Sequence, residues 1–174
     1  MCGIFVVVNK KSQQLNLSKC KKALNEMHRR GPDWSFYTIP KKNVFIGQVV
    51  LSMTGKIQKD IKQHYSFSKN YFLVFNGEIY NYKNLGIKYL SQEISKNIPD
   101  TNVLANLFDL KKINQINSLL DGMYAYVVHD KKKNQLIISR DPQGEKSLYI
   151  YENEKLIIIS SEVGPIIQFT NDDE

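Results

Sequence analysis

A cysteine stands at position 2, behind a single methionine. Aminopeptidases remove an initiator methionine when the next residue is small, and removal here leaves a thiol and a free α-amine on Cys2. An α-amine titrates at about 7.7–8.0 and a cysteine thiol at about 8.5, so near neutral pH the amine can take the thiol proton without a histidine. Cys2 would then carry a nucleophile and its base together. While Met1 remains, that amine is tied up in a peptide bond. The bland alternative is a small apolar residue opening a strand, and the surrounding sequence has to decide between them. The other cysteine, Cys20, shares an apolar stripe at spacings of three and four with Leu17, Leu24 and Met27, and reads as core. No C-x-x-C or Cys/His spacing occurs, so neither a disulfide framework nor a metal site is expected.

The elements that must position Cys2 follow from periodicity. Ile4 to Val8 is a continuous β-branched and aromatic run, the pattern of a strand buried on both faces. A helix with Ser18 as N-cap comes next and must stop near Arg30, because Gly31-Pro32-Asp33 is a turn signal. Strands are expected at Ser35 to Ile39, Val44 to Leu51 and Tyr71 to Phe75, after which Asn76-Gly77 is the strongest turn signal in the chain. Helical patterning covers Tyr82 to Leu90, Thr101 to Leu110 and Ile113 to Leu120, with Asp100 a natural N-cap. The last third returns to strands at Met123 to His129, Gln135 to Ser139, Leu148 to Tyr151 and Leu156 to Ser160, before an amphipathic piece from Val163 to Phe169. Strands in hairpin-like succession with few helices imply antiparallel sheets covered by helices, an α+β class and not a βαβ series.

Composition bounds the partners. A chain of 174 residues, 42% hydrophobic, fits one domain with a real core. Lys+Arg outnumber Asp+Glu by 24 to 17, for a net charge of +7, yet only Arg29, Arg30 and Arg140 are arginines. Arginine is the residue suited to bidentate phosphate and base recognition, so the charge reads as a solvated lysine surface and no nucleic-acid partner is expected. The apolar run from Cys2 ends at Asn9-Lys10-Lys11, far too short to cross a bilayer. No membrane association is expected, and a reducing, cytoplasmic setting fits.

The motifs Met1-Cys2-Gly3-Ile4-Phe5, Arg30-Gly31-Pro32-Asp33, Asn76-Gly77-Glu78-Ile79-Tyr80-Asn81, Asp121-Gly122-Met123-Tyr124-Ala125, Arg140-Asp141 with Gly144 and Lys146, Leu148-Tyr149 and Ser161-Glu162 are each weak alone. In this order and spacing they resemble the N-terminal glutaminase domain of the asparagine synthetase family, a class II glutamine amidotransferase. The motifs spread over nearly the whole chain, and residues 1–174 read as one glutaminase domain. The resemblance implies an N-terminal nucleophile (Ntn) hydrolase-like αββα sandwich, two mostly antiparallel sheets packed face to face between helical layers.

It also implies roles. Cys2 would attack the side-chain carboxamide of glutamine, giving a γ-glutamyl thioester and ammonia, then glutamate. Asn76 and the Gly77 N–H would form the oxyanion hole, which a turn at the same residues does not preclude. Asp100, with the Glu78 region assisting, would pair with the substrate's α-ammonium, although an N-cap remains open for it. Leu51 and Met53 would contribute to substrate binding. Arg30, Asp33, Arg140 and Asp141 read as structural, turn-forming and hydrogen-bonding positions that hold strands and loops together.

The pattern also breaks. Before Leu51-Ser52-Met53 the family usually has an arginine that clamps the substrate carboxylate; here Val50 offers no donor, and Lys56 is the nearest substitute in sequence. Phe36 and Ser147 replace a usual glycine and proline. No S-G-G-x-D-S signature of an ATP-using synthetase domain is present, so ammonia would pass to a synthetase domain or subunit outside this chain. ATP and magnesium are expected only there, and no cofactor here. The leading reading is therefore a glutamine-hydrolysing amidotransferase domain. Its alternative is a weak or inactive Ntn-fold scaffold or interaction domain, motivated by Val50 and the absent synthetase partner, and a basic nucleic-acid binder rests on net charge alone.

Overall fold

The computed structural model describes residues 1–51, 66–67, 70–90, 99–110 and 115–171. The chain divides into two compact units, Met1–Ile57 with Ser147–Glu174, and Gln58–Lys146. Each unit carries one antiparallel sheet with helices packed on it, as the α+β expectation required.

In the first unit the strands are β1 (Gly3–Asn9), β2 (Trp34–Lys41), β3 (Val44–Val50), β8 (Tyr149–Glu152) and β9 (Leu156–Ser160), in the order β2-β3-β1-β9-β8. The N-terminal strand is thus central. It pairs with β3 from Gly3↔Val49 to Val8↔Val44 and with β9 from Phe5↔Ser160 to Asn9↔Leu156. Helices α1 (Leu17–Glu26) and α5 (Val163–Asn171) cover one face, where Phe5, Val7, Cys20, Leu24, Met27, Phe45, Ile158 and Phe169 form the core. Ile4 to Val7 are all buried, as a strand apolar on both faces must be.

Helix α1 departs from expectation at both ends. Asn16, not Ser18, is the N-cap, its side chain accepting from the Lys19 N–H at 3.1 Å. The helix ends at Glu26, and residues 27–30 continue as turns before Gly31. A Cβ on Gly31 would lie 2.4 Å from the Val50 nitrogen, so glycine lets this turn close onto the end of β3.

The second unit holds β4 (Ser66–Phe67), β5 (Tyr71–Ile79), β6 (Gly122–Asp130) and β7 (Gln135–Arg140) in sequential order, with helices α2 (Tyr82–Leu90), α3 (Asp100–Asp109) and α4 (Ile116–Leu119). Tyr71, Leu73, Phe75 and Ile79 pack with Leu104, Leu107, Phe108, Tyr124 and Tyr126. The expected turn at Asn76-Gly77 is absent. Both residues lie inside β5, paired Asn76↔Ala125 and Gly77↔Tyr124, and the chain turns only at Tyr80. Tertiary pairing with β6 overrides the local turn preference of Asn-Gly.

No helix among the described residues is long and apolar enough to cross a membrane.

The loop after β7 is fastened by Asp141, which is 1% exposed. Its carboxylate accepts from the backbone N–H groups of Glu145 (2.8 Å), Lys146 (3.1 Å) and Tyr124 (3.3 Å), while its own N–H donates to the Tyr124 carbonyl at 2.7 Å. Burial opposes ionisation here, but the backbone donors outweigh it and hold the carboxyl below its usual range. A depressed folded pKa stabilises the fold above the unfolded value, about 3.9, and that contribution disappears as pH falls through the folded value. Asp141→Asn should therefore destabilise the protein by about 1.5–3 kcal/mol at pH 7, and the gap to wild type should narrow below about pH 4. Urea unfolding at both pH values measures this.

Candidate active site

Cys2 sits at the mouth of β1. Its parity along the chain is that of Ile4 and Val6, opposite to Phe5 and Val7 on the helix-covered face. The thiol is half-buried, and its Sγ lies 3.9 Å from the Leu51 carbonyl oxygen. The Cys2 carbonyl accepts from Arg30 Nε at 2.7 Å, and the same guanidinium donates from Nη1 to Glu162 Oε1 at 2.9 Å. Met1 is 56% exposed, and its amine donates to the Arg30 carbonyl at 3.1 Å.

Two lines hold the segment behind Cys2. The Ile4 N–H donates to Ser161 Oγ at 2.9 Å, and the Ser161 N–H donates to the Ile4 carbonyl at 2.9 Å. Ser147 Oγ in turn donates to the Ser161 carbonyl at 2.8 Å. The Ser161-Glu162 pair is therefore a clamp on the N-terminal strand. Arg30 thus joins the Cys2 carbonyl to Glu162. A contact across 28 residues leaves no mark in local sequence, and the motif order was the sole signal.

In the second unit Asn76 faces away from the helices of its own sheet, since Phe75 and Ile79 belong to the helix-packed core. It is 1% exposed, and its Nδ2 has no hydrogen-bond partner among the described residues. Leaving a buried donor unpaired costs about 1–3 kcal/mol, and native folds keep few such atoms. Gly77 follows with φ +146°, and a Cβ there would fall 2.0 Å from the Met123 carbonyl oxygen. Glycine is obligatory at that position for conformation and for space alike. Gly122, across the same strand pair at φ +152°, meets the Glu78 carbonyl in the same way.

Asp100 joins this group. One carboxylate oxygen accepts from the Ile79 N–H at 2.9 Å and the other from the Thr101 N–H at 2.8 Å. The N-cap of α3 is Pro99, and Asp100 is its first residue. Burial pushes the Asp100 carboxyl up, and the nearby charge of Glu78 pushes the same way, against the lowering effect of its two backbone donors. Glu78 itself is exposed. Within the first unit, then, Cys2 meets Leu51 and Arg30; within the second, Asn76, Gly77, Glu78 and Asp100 gather at the end of β5. Val50 ends β3, its carbonyl accepting from the Asp33 N–H at 3.2 Å. Met53 and Lys56 lie outside the described residues.

The fold matches a glutamine phosphoribosylpyrophosphate amidotransferase from B. subtilis, with TM-score 0.75 and 20% identity over 97% of this chain and 44% of that one. It matches as well a structure described as the allosteric regulatory enzyme of purine biosynthesis, with TM-score 0.78 and 20% identity over 97% of this chain and 43% of that one. At that identity the likeness establishes the Ntn-type α+β fold. Residues 1–173 match the glutamine amidotransferase domain family, and this chain belongs to it. A probable asparagine synthetase (glutamine-hydrolysing) of Acanthamoeba polyphaga mimivirus is 33% identical over 162 residues, 91% of this chain and 29% of the relative. Asparagine synthetase B of Escherichia coli is 29% identical over 170 residues, 96% of this chain and 30% of the relative. The chain thus spans about three-tenths of the length of these curated relatives.

The two thiols should differ sharply in reactivity. Cys20 is fully buried, and burial pushes its thiol up to about 12. Iodoacetamide at neutral pH should add once, at Cys2, with Cys20 reacting only after unfolding; peptide mapping that finds Cys20 modified in the folded protein would contradict this.

Proposed function

We propose that this chain, once Met1 is removed, hydrolyses glutamine to glutamate and ammonia. The observation that carries this reading is the orphaned, buried Asn76 amide beside the positive-φ Gly77. A donor kept dry and unpaired suits an acceptor that arrives with the substrate. It is most useful for charge that develops only during reaction.

The Cys2 α-amine takes the thiol proton, and the thiolate adds to the δ-carbon of the glutamine carboxamide. The C=O electron pair moves to oxygen, where Asn76 Nδ2 and the Gly77 N–H stabilise the oxyanion. Collapse of this intermediate breaks the C–N bond, and the protonated amine gives its proton to the departing nitrogen, which leaves as ammonia. Water then adds to the thioester, the amine again taking a proton. A second collapse expels the Cys2 thiolate and yields glutamate.

Asp100 receives the substrate's α-ammonium, a role supported by a carboxylate that burial and Glu78 both disfavour as a bare anion. By the resemblance, Leu51 and Met53 contribute to glutamine binding. Val50 supplies no cation for the α-carboxylate, so glutamine is held less tightly than an arginine at that position would hold it. An inactive scaffold is a second reading, motivated by Val50 and by the lack of a synthetase signature in this chain, and the presence of Cys2, Asn76 and Gly77 together weighs against it.

Ammonia goes to a synthetase domain or subunit that amidates an acceptor, as the names of the relatives suggest. The glutaminase step needs no cofactor; ATP and magnesium would serve the amidation. A cytoplasmic setting keeps the Cys2 thiol reduced.

Steady-state kinetics on the processed protein test these roles together. Asn76→Ala should lower kcat about a hundredfold or more with KM little changed, the signature of a contact made in the transition state. Asp100→Asn should instead raise KM about tenfold or more with a smaller effect on kcat. A change confined to KM for Asn76→Ala would show the oxyanion role to be misassigned.

A further inference from the structure

The Arg30 guanidinium is shared between two acceptors of different kinds. Nε donates to the Cys2 carbonyl at 2.7 Å, and Nη1 donates to Glu162 Oε1 at 2.9 Å. The Cys2 carbonyl lies outside both ladders of β1, which begin at Gly3↔Val49 on one side and Phe5↔Ser160 on the other. Its bond to Arg30 is therefore what extends the order of the sheet by one residue toward the terminus. A chain terminus frays unless it is tied down. After Met1 is gone, Cys2 becomes that terminus.

Arginine has several rotatable bonds, and one hydrogen bond from Nε does not choose among its rotamers. A second acceptor at fixed distance and direction does, because the guanidinium is a rigid planar fork. Glu162 is placed to be that acceptor. Its backbone is fixed directly after Ser161, which exchanges bonds with Ile4, and its own N–H donates to Ser160 Oγ at 3.2 Å. The side chain of Arg30 is 11% exposed and that of Glu162 is 43% exposed, so the ion pair is partly solvated and adds little to global stability.

We propose that Glu162 is a positioning residue for the nucleophile: by holding Nη1 of Arg30 it aims Nε at the Cys2 carbonyl and so fixes the first residue of the processed chain. The proposal rests on the reading of Cys2 as nucleophile, and it assigns Glu162 no contact with substrate. Reaction rates fall steeply when reacting atoms are misplaced, by as much as about a hundredfold for an ångström. A terminus left with partial freedom should lose part of that.

The test uses the processed protein and two readouts. Glu162→Ala should lower kcat for glutamine hydrolysis about tenfold, with KM within about twofold and an unchanged Tm, because binding of the amino-acid end of glutamine is not touched. Glu162→Gln keeps an oxygen acceptor at the same reach and should recover most of the loss. Arg30→Lys cannot bridge the two acceptors, so adding Glu162→Ala to it should cost little more; full additivity would mean that the two residues act independently and would overturn the proposal. Hydrogen exchange of the N-terminal peptide is the second readout and needs no turnover. It should accelerate in Glu162→Ala and stay at the wild-type rate in Glu162→Gln. If wild type releases no glutamate while exchange behaves in this way, the positioning role stands and the glutaminase reading fails. If Glu162→Ala leaves exchange and any measurable kcat at wild-type values, the positioning role is wrong.

Discussion

Under the proposed function Cys2 becomes a nucleophile that is also a chain terminus; such a residue has to be immobilised by its surroundings, and the order of the first unit meets that constraint. A terminal residue has a covalent neighbour on one side only, so the backbone behind it must carry all the order. β1 runs down the centre of its sheet with a partner on each side, its residues from Ile4 to Val7 wholly buried. Ser161 then takes both backbone groups of Ile4, and Arg30 takes the carbonyl of Cys2. The order passes outward residue by residue, from packed strand to side-chain clamp to a single charge-assisted bond at the thiol-bearing residue itself.

In the second unit β5 carries a buried amide, Asn76 Nδ2, that has no hydrogen-bond partner among the described residues. β5 and β6 stay in register from Tyr71↔Asp130 to Ile79↔Gly122, and glycines at positions 77 and 122 let the backbones of the pair approach where any Cβ would collide. The ladder that surrounds Asn76 offsets the cost of its orphaned amide. Asp100 ties the end of β5 to the start of α3 by accepting from both, which fastens the acidic group to the strand that carries the amide.

Much of the fold was legible because most elements follow simple patterns. The β-branched run after Cys2 gave a doubly buried strand, and the Leu17-Cys20-Leu24 stripe gave a helix over a core. Failures came where tertiary structure outweighs local preference. Asn76-Gly77 carries the chemistry of a turn, yet nine consecutive pairs with β6 hold it extended. Asn16 displaced Ser18 as a cap because both residues suit the role and only the packing of Leu17 against the core selects the register. Of the proposed site residues, Cys2, Asn76 and Gly77 became candidates through motif order, and Asp100 through its place in the resemblance. The bonds from Arg30 to Cys2 and Glu162 were not legible, since they join segments 28 and 132 residues apart.

The central claim is that Cys2 works through its own freed α-amine. Unprocessed protein, still bearing Met1, can be treated with a methionine aminopeptidase while intact mass and glutamate release are followed together. Glutamate release should be absent at the start and rise in proportion to the fraction of molecules that have lost Met1. Full activity in molecules that retain Met1, or none after complete removal, would contradict the account.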